Sequence, residues 1–339
     1  MYKGDGTKTP EREALLSEFE RNDPLHHPAH YIADDGLKHA VNIALTLGQP
    51  LLLTGEPGTG KTELARSVAY ELAWPRLVFH TKTTATARDL FYQYDALRHF
   101  HDAHLTQSNG SANTEPKLLD TEKYISYEAL GRAILLSNTA SEIRFLLPKE
   151  LRESNPSRSV VLIDEVDKAP RDLPNDILHE IENLSFQVRE TGREFKASRA
   201  DRPLVILTSN SEKNLPDAFL RRCIFYHIEF PDRTRLRDIV ERRVGKDKFD
   251  PTMLKQALGH FQAIRHKGLK KNPATAELLA WLNIIQRLEL RFEKLSKAEK
   301  EALKFSYSVL AKNKDDLEKL AESLKNQDPE ILPETPKES

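Results

Sequence analysis

Gly55-Glu56-Pro57-Gly58-Thr59-Gly60-Lys61-Thr62 is the stretch whose reading decides the fold. It fits G-x-x-x-x-G-K-[ST], the pattern of a loop whose glycines let backbone N–H groups turn inward around phosphate oxygens. Leu51-Leu52-Leu53 before it reads as a buried strand, and Lys61 to Trp74 after it as a helix whose positive end faces the bound anion. In that setting Lys61 reaches the β and γ phosphates of a nucleotide, and Thr62 puts its hydroxyl on Mg²⁺. Gly55, Glu56, Pro57, Gly58, Thr59, Gly60 and Glu63 are grouped with them as binding residues.

Two downstream segments supply what a phosphate site needs next. Val160-Val161-Leu162-Ile163 is an apolar strand ending in Asp164 and Glu165, which places both acids at the carboxyl edge of a sheet, where open α/β proteins bind ligands. Mg²⁺ takes hard oxygens and few protein contacts, which suits Asp164; Glu165 is then free to polarise an attacking water. Leu204 to Leu207, followed by Thr208 and Ser209, is a second apolar strand, ending at Asn210. If it lies beside the strand bearing Asp164, the amide reaches the γ-phosphate region and helps orient water. Arg221-Arg222 follow a short helical segment, and in-line phosphoryl transfer gains from a cation supplied by a neighbouring molecule.

The chain has 339 residues, 51 basic and 52 acidic. That length suits two domains, and the balanced charge weighs against an extended nucleic-acid footprint, though it does not exclude a basic patch. Cys223 is the only cysteine, which excludes an intrachain disulfide and a cysteine-rich metal site. No signal-peptide pattern and no run approaching 18 apolar residues is present, so no membrane span and a cytoplasmic location are expected.

Strands alternating with helices predict a parallel five-stranded sheet covered on both faces, an αβα sandwich of the P-loop type, followed by an all-helical lid. The expected strands are 51–53, 77–80, 159–164, 203–209 and 223–228, with a hairpin at 185–196. Helices are expected at 10–20, 34–47, 61–74, 125–136 and 172–184, and a polar mobile loop at 102–121. After Pro231 the segments 233–244, 251–267, 273–290, 297–312 and 314–325 read as helical, and Asn272-Pro273 reads as a helix start. The expected domains are an N-terminal extension over 1–28, partly disordered, a core over 29–231, a lid over 232–327 and a disordered tail over 328–339.

GEPGTGKT, VVLIDEVDKAP, LTSNSEKNLPDAFLRRC, the hairpin FQVRETGREF and the run RDLFYQYD together resemble the AAA+ superfamily, and within it the MoxR-like branch. The resemblance runs from about Tyr31 to Trp281. It implies an ATPase with ring assembly, most often hexameric, and ATP held between subunits with Arg221 and Arg222 of one approaching the γ-phosphate bound by the next. It also implies adenine contacts from Tyr31 and Ile32. One departure stands out: where many relatives carry an arginine in the lid, Thr275 is followed by Ala276, so either the cation is absent or Lys270 or Lys271 substitutes for it from the preceding loop. The activity implied is chaperone-like remodelling of a partner protein, of a kind that includes von Willebrand factor A domain proteins supplied in trans. Alternatives are a motor subunit of a DNA-restriction or defence complex, since McrB-like GTPases share the architecture, and a slow-hydrolysing nucleotide switch.

Overall fold

The structure, a computed structural model, describes residues 1–6, 12–13, 27–108, 120–152, 158–211, 215–290, 292 and 295–325. The chain divides into two compact units, one built from 1–17, 33–55 and 61–228 and the other from 18–32, 56–60 and 229–339. The expected helix at 10–20 and the tail after 328 lie largely outside the described residues.

The first unit contains strands β1 (Leu51–Thr54), β2 (Arg76–His80), β3 (Tyr92–Tyr94), β4 (Ile125–Tyr127), β5 (Val160–Asp164), β6 (Ser185–Gln187), β7 (Glu194–Lys196), β8 (Leu204–Thr208) and β9 (Ile224–His227). Its longer helices are α1 (Asp35–Leu47), α2 (Lys61–Leu72), α3 (Ala96–Ser108) and α4 (Ala129–Leu136). Five strands form one parallel sheet in the order β2-β5-β8-β1-β9. Successive strand residues point to opposite faces. Because every residue of β1 and β8 is buried, the sheet is covered on both sides, as its unbroken apolar runs predict. The register brings His80 beside Asp164, Leu53 beside Thr208 and Thr54 beside His227, so polar ends gather at one edge.

Three expectations for the first unit need correction. The helix expected from Ile125 begins at Ala129. Ile125-Ser126-Tyr127 instead pairs antiparallel with Tyr92-Gln93-Tyr94, because β-branched and aromatic residues favour a pleated, half-buried surface. The loop expected from 102 is helical as far as Ser108, within α3. The helix expected over 172–184 is two short turns, Leu173–Asp176 and Leu178–Asn183, after which Leu184 takes a left-handed φ of 47°.

The hairpin β6–β7 and the ribbon β3–β4 pack as one body. Phe186 stacks on Phe91 with ring centres 5.1 Å apart and sits 5.3 Å from Phe195, while Tyr127 meets Phe195 edge-on. Polar contacts reinforce the aromatic ones: Arg189 N–H donates to the Tyr92 hydroxyl at 3.1 Å, and Arg193 pairs with Glu122 at 2.7 Å. In the same core a Cβ on Gly131 of α4 would meet the Phe91 carbonyl oxygen at 2.0 Å. Backbone cannot yield as a side-chain tip can, so Gly131→Ala is expected to destabilise by about 3 kcal/mol, at the upper end of overpacking effects. Denaturant unfolding checks this, with a lowered midpoint and an unchanged slope. At the chain start, Tyr2 is buried, with its hydroxyl 2.9 Å from Ser67 Oγ on α2 and its backbone N–H donating to Asn42 Oδ1 on α1.

The second unit holds helices α5 (Arg233–Val244), α6 (Pro251–Arg265), α7 (Thr275–Arg287), α8 (Lys297–Ser306) and α9 (Lys314–Lys325). Its core centres on Trp281, fully buried, whose indole N–H donates to Ser306 Oγ at 2.9 Å. His260 stacks on Trp281 and Tyr307, and burial holds its pKa down at about 4. α7 starts two residues later than Asn272-Pro273 predicts. Its cap is Ala274, whose N–H donates to Glu277 Oε2 at 3.1 Å, the reach-back half of a capping box.

Candidate functional site

At the carboxyl edge of the sheet, β1 runs into Gly55 at φ 141°, and the loop continues through Gly58 at φ 76° and Gly60 at φ 93°. These are conformations that glycine adopts without Cβ strain, and they are what the loop's composition predicts. Lys61 opens α2. Its side chain is buried, and Nζ donates to the Gly55 carbonyl at 2.8 Å, so the ammonium lies across the root of its own loop. Thr59 Oγ1 donates to the Glu56 carbonyl at 2.9 Å, tightening the turn.

Two hydroxyls converge on one carboxylate oxygen. Thr62 Oγ1 donates to Asp164 Oδ1 at 3.0 Å, and Thr208 Oγ1 donates to the same atom at 2.6 Å. Thr208 also accepts from the Glu165 N–H at 2.8 Å, which ties the ends of β5 and β8 together. His80 Nδ1 lies 3.7 Å from the other oxygen, Asp164 Oδ2. The strand ending at Thr208 does pair with the strand bearing Asp164, so the adjacency on which the Asn210 reading depended is met. Asn210 itself is exposed, two residues beyond the end of β8.

Glu165 has the left-handed backbone φ 56°, ψ 51°, uncommon for a residue with a Cβ. Its carboxylate is paired with Lys168 in the following turn, and that hydrogen bond raises the lysine pKa. Arg221 and Arg222 close the turn Asp217–Leu220 and differ in their surroundings. Arg222 Nε donates to Glu182 Oε2 at 3.3 Å and Nη1 to the Ala218 carbonyl at 3.1 Å. The Arg221 side chain makes no hydrogen bond or ion pair among the described residues. Both line a pocket of about 270 Å³ together with Glu182 and Arg202. Cys223 beside them is half-buried against the core of the first unit, and burial pushes its thiol up to about 12.

In the second unit Tyr31 is buried and Gly60 lies against its ring, while the Ile32 carbonyl accepts from Arg235 Nη2 at 3.3 Å. Of the two candidate substitute cations, Lys270 is paired with Asp315, while the Lys271 N–H donates to Asp316 Oδ2 at 3.1 Å. Sequence reasoning missed Thr208, Lys168 and Arg265, the last of which pairs with Glu56 at 2.6 Å.

The donor set suits a divalent cation that arrives with a triphosphate. Thr62 and Asp164 offer two hard oxygens at one point, and no cluster of three or more His, Cys, Asp or Glu able to hold a metal is found among the described residues. Mg²⁺ keeps several waters and takes phosphate oxygens, so two protein oxygens fit it and a dedicated protein cage is not needed. No described helix is long and apolar enough to cross a membrane.

A family profile described as an AAA domain of the dynein-related subfamily matches residues 50–223, from just before β1 to Cys223. No curated protein sequence matches the chain. Among solved structures, one from work on the structural basis of katanin self-assembly is 15% identical with a TM-score of 0.41, covering 94% of this chain and 98% of that one. A RuvB mutant from Thermotoga maritima is also 15% identical with a TM-score of 0.45, covering 89% and 73%.

Proposed function

The chain belongs to the AAA family, in its dynein-related subfamily, and from that premise we propose that it binds ATP with Mg²⁺ and hydrolyses it between copies of itself to remodel a partner protein. The observation that carries the reading is the convergence of Thr62 and Thr208 on Asp164 Oδ1, with Glu165 hydrogen-bonded to the same threonine. A bound Mg²⁺ would supply charge neutralisation at the β and γ phosphates, held by Thr62 and Asp164. Lys61 would bind those phosphates, and Asn210 would help orient the attacking water. Glu165 would accept a proton from it once its carboxylate leaves Lys168.

The two arginines take different roles. Arg222 is tied to Glu182 within its own chain, which makes it a support for the turn. Arg221 is exposed with its guanidinium uncommitted, which suits insertion into a neighbouring copy's site, and a ring of copies, hexameric in this reading, provides that neighbour. The finer assignment to the MoxR-like branch rests on the hairpin and the ribbon, which form one aromatic-cored body. We assign that body to contact with the partner, a protein acting in trans and possessing a von Willebrand factor A domain in the most specific form of the proposal.

The test is complementation between variants. Arg221→Ala is expected to lower turnover about 10³-fold, in the range of arginine fingers, and Arg222→Ala to cost far less. Mixing Arg221→Ala with Glu165→Gln should restore part of the ATPase rate, because some interfaces then join an intact arginine to an intact glutamate. Well-mixed assemblies with no recovery would exclude catalysis between copies. Equal losses for the two arginine variants would remove the distinction drawn here.

A further inference from the structure

Three guanidiniums, those of Arg202, Arg221 and Arg222, line the pocket of about 270 Å³, and Glu182 is the one carboxylate among its described lining residues. The pocket lies at the amino edge of the parallel sheet. Gly48 comes shortly before β1, Arg202 before β8 and Arg222 before β9, three adjacent strands that run the same way. The glycine loop, Asp164 and Thr208 stand at the carboxyl edge. Strands of four and five residues, at about 3.3 Å per residue, set the two edges roughly 15 Å apart, farther than an arginine side chain reaches. An anion served by this pocket is therefore not the nucleotide on the chain's own loop.

Glu182 is divided between two of the arginines. Its carboxylate accepts from Arg222 Nε at 3.3 Å, and its backbone carbonyl accepts from Arg202 Nη2. Arg202 is half-buried. Its stem lies over Gly48, the cap of α1 at φ 65°, where a Cβ would meet Arg202 Cδ at 3.2 Å. Burial lowers the Arg202 pKa, and the Glu182 charge acts against that lowering. Among the lining residues, one negative charge thus faces three positive ones, and like charges in a confined space repel until an anion enters. A guanidinium fork suits phosphate because it meets two oxygens at once.

We propose, on the reading of hydrolysis between copies given above, that Arg202 is a second guanidinium acting in trans, which joins Arg221 in contacting the triphosphate held by a neighbouring copy. Arg222 and Glu182 form the wall that holds Arg202 in place, and Arg221 supplies the mobile contact. Arg202 belongs to the face that gives an arginine, not to the face that holds the nucleotide.

Mixtures of variants test that placement, with thermal melting as a folding control. Arg202→Gln can still donate to the Glu182 carbonyl but loses the charge, and its turnover is expected to fall at least about tenfold. Mixed with Glu165→Gln it should recover, because some interfaces then join two intact arginines to an intact glutamate. Mixed with Arg221→Ala it should not, because every arginine-giving face lacks one of the two. Recovery in that second mixture means that Arg202 serves its own chain and overturns the proposal, as does turnover within twofold of native in Arg202→Gln. A readout apart from turnover is self-association in the Glu165→Gln background, followed by sedimentation. Adding Arg202→Gln should raise the concentration for half-association about fivefold with Mg-ATP and less than twofold with Mg-ADP. No shift with Mg-ATP, or an equal shift with both, overturns the proposal. If Arg202→Gln does not fold, Arg202→Lys takes its place in the same mixtures. It keeps the charge without the fork, and its turnover is expected to fall at least about fivefold; native turnover in it overturns the proposal. Failure of Arg221→Ala with Glu165→Gln to recover would overturn catalysis between copies and this proposal together. Recovery there without recovery of Arg202→Gln with Glu165→Gln overturns the role of Arg202 alone.

Discussion

Lys61→Ala is expected to abolish nucleotide binding while leaving the chain folded. Lys61 is buried, and its ammonium donates to the Gly55 carbonyl at 2.8 Å, so it closes the root of the loop. Truncation leaves that carbonyl short of one donor, a cost of about 1–3 kcal/mol. It also removes a desolvated charge, which acts in the opposite direction. The two effects largely offset, and the melting temperature without nucleotide should change little. With nucleotide the two proteins diverge. At a ligand concentration of 100 Kd the native chain gains about 2.7 kcal/mol by mass action, a rise of roughly 5–10 °C for a unit of this size. The variant, its affinity reduced at least about a hundredfold by loss of a charge-assisted phosphate contact, should show almost none of that rise. A variant that is stabilised by Mg-ATP as strongly as the native chain would remove Lys61 from phosphate binding.

Glu165→Gln is expected to keep ATP and stall hydrolysis. Glutamine has nearly the same shape, keeps the N–H that donates to Thr208 Oγ1, and leaves Asp164 and Thr62 untouched. What it loses is a carboxylate able to accept a proton from water, a function worth about 10²–10⁴-fold in rate. Steady-state turnover should fall by that factor, with the affinity for ATP unchanged within a fewfold. Turnover at the native rate would exclude Glu165 as the water-polarising residue. Tight retention of ATP in this variant would also make it the form in which to test for the proposed protein partner.

The parts of the fold legible in the sequence were those coded locally. The runs 51–54, 160–164 and 204–208 are continuous apolar stretches because they lie inside a two-faced parallel sheet, and each ends where a polar residue reaches the sheet edge. The loop glycines were legible because positive φ leaves glycine little competition. What escaped was short or distant. Ile125-Ser126-Tyr127 is three residues long, too few to show alternation before the helical pattern of α4 takes over. Thr208 reads as an ordinary strand former until its hydroxyl is found between Asp164 and Glu165, 44 and 43 positions away in sequence. Arg265 stands 209 positions from Glu56, and no local pattern couples residues so separated. The split between Arg221 and Arg222 is likewise a matter of neighbours: adjacent in sequence, they part because Glu182 and the Ala218 carbonyl stand beside one of them.

Glu165 shows where conformational preference and chemistry pull in opposite directions. A φ of 56° is a conformation glycine adopts without the steric cost that a Cβ incurs, about 1–2 kcal/mol. A selection for thermal robustness acting on this position alone would favour glycine, and the winner would be a sturdier protein without the carboxylate. The chain thus retains its proposed catalyst against its own conformational preference, and laboratory evolution that screens only for stability would erase the activity at this residue first.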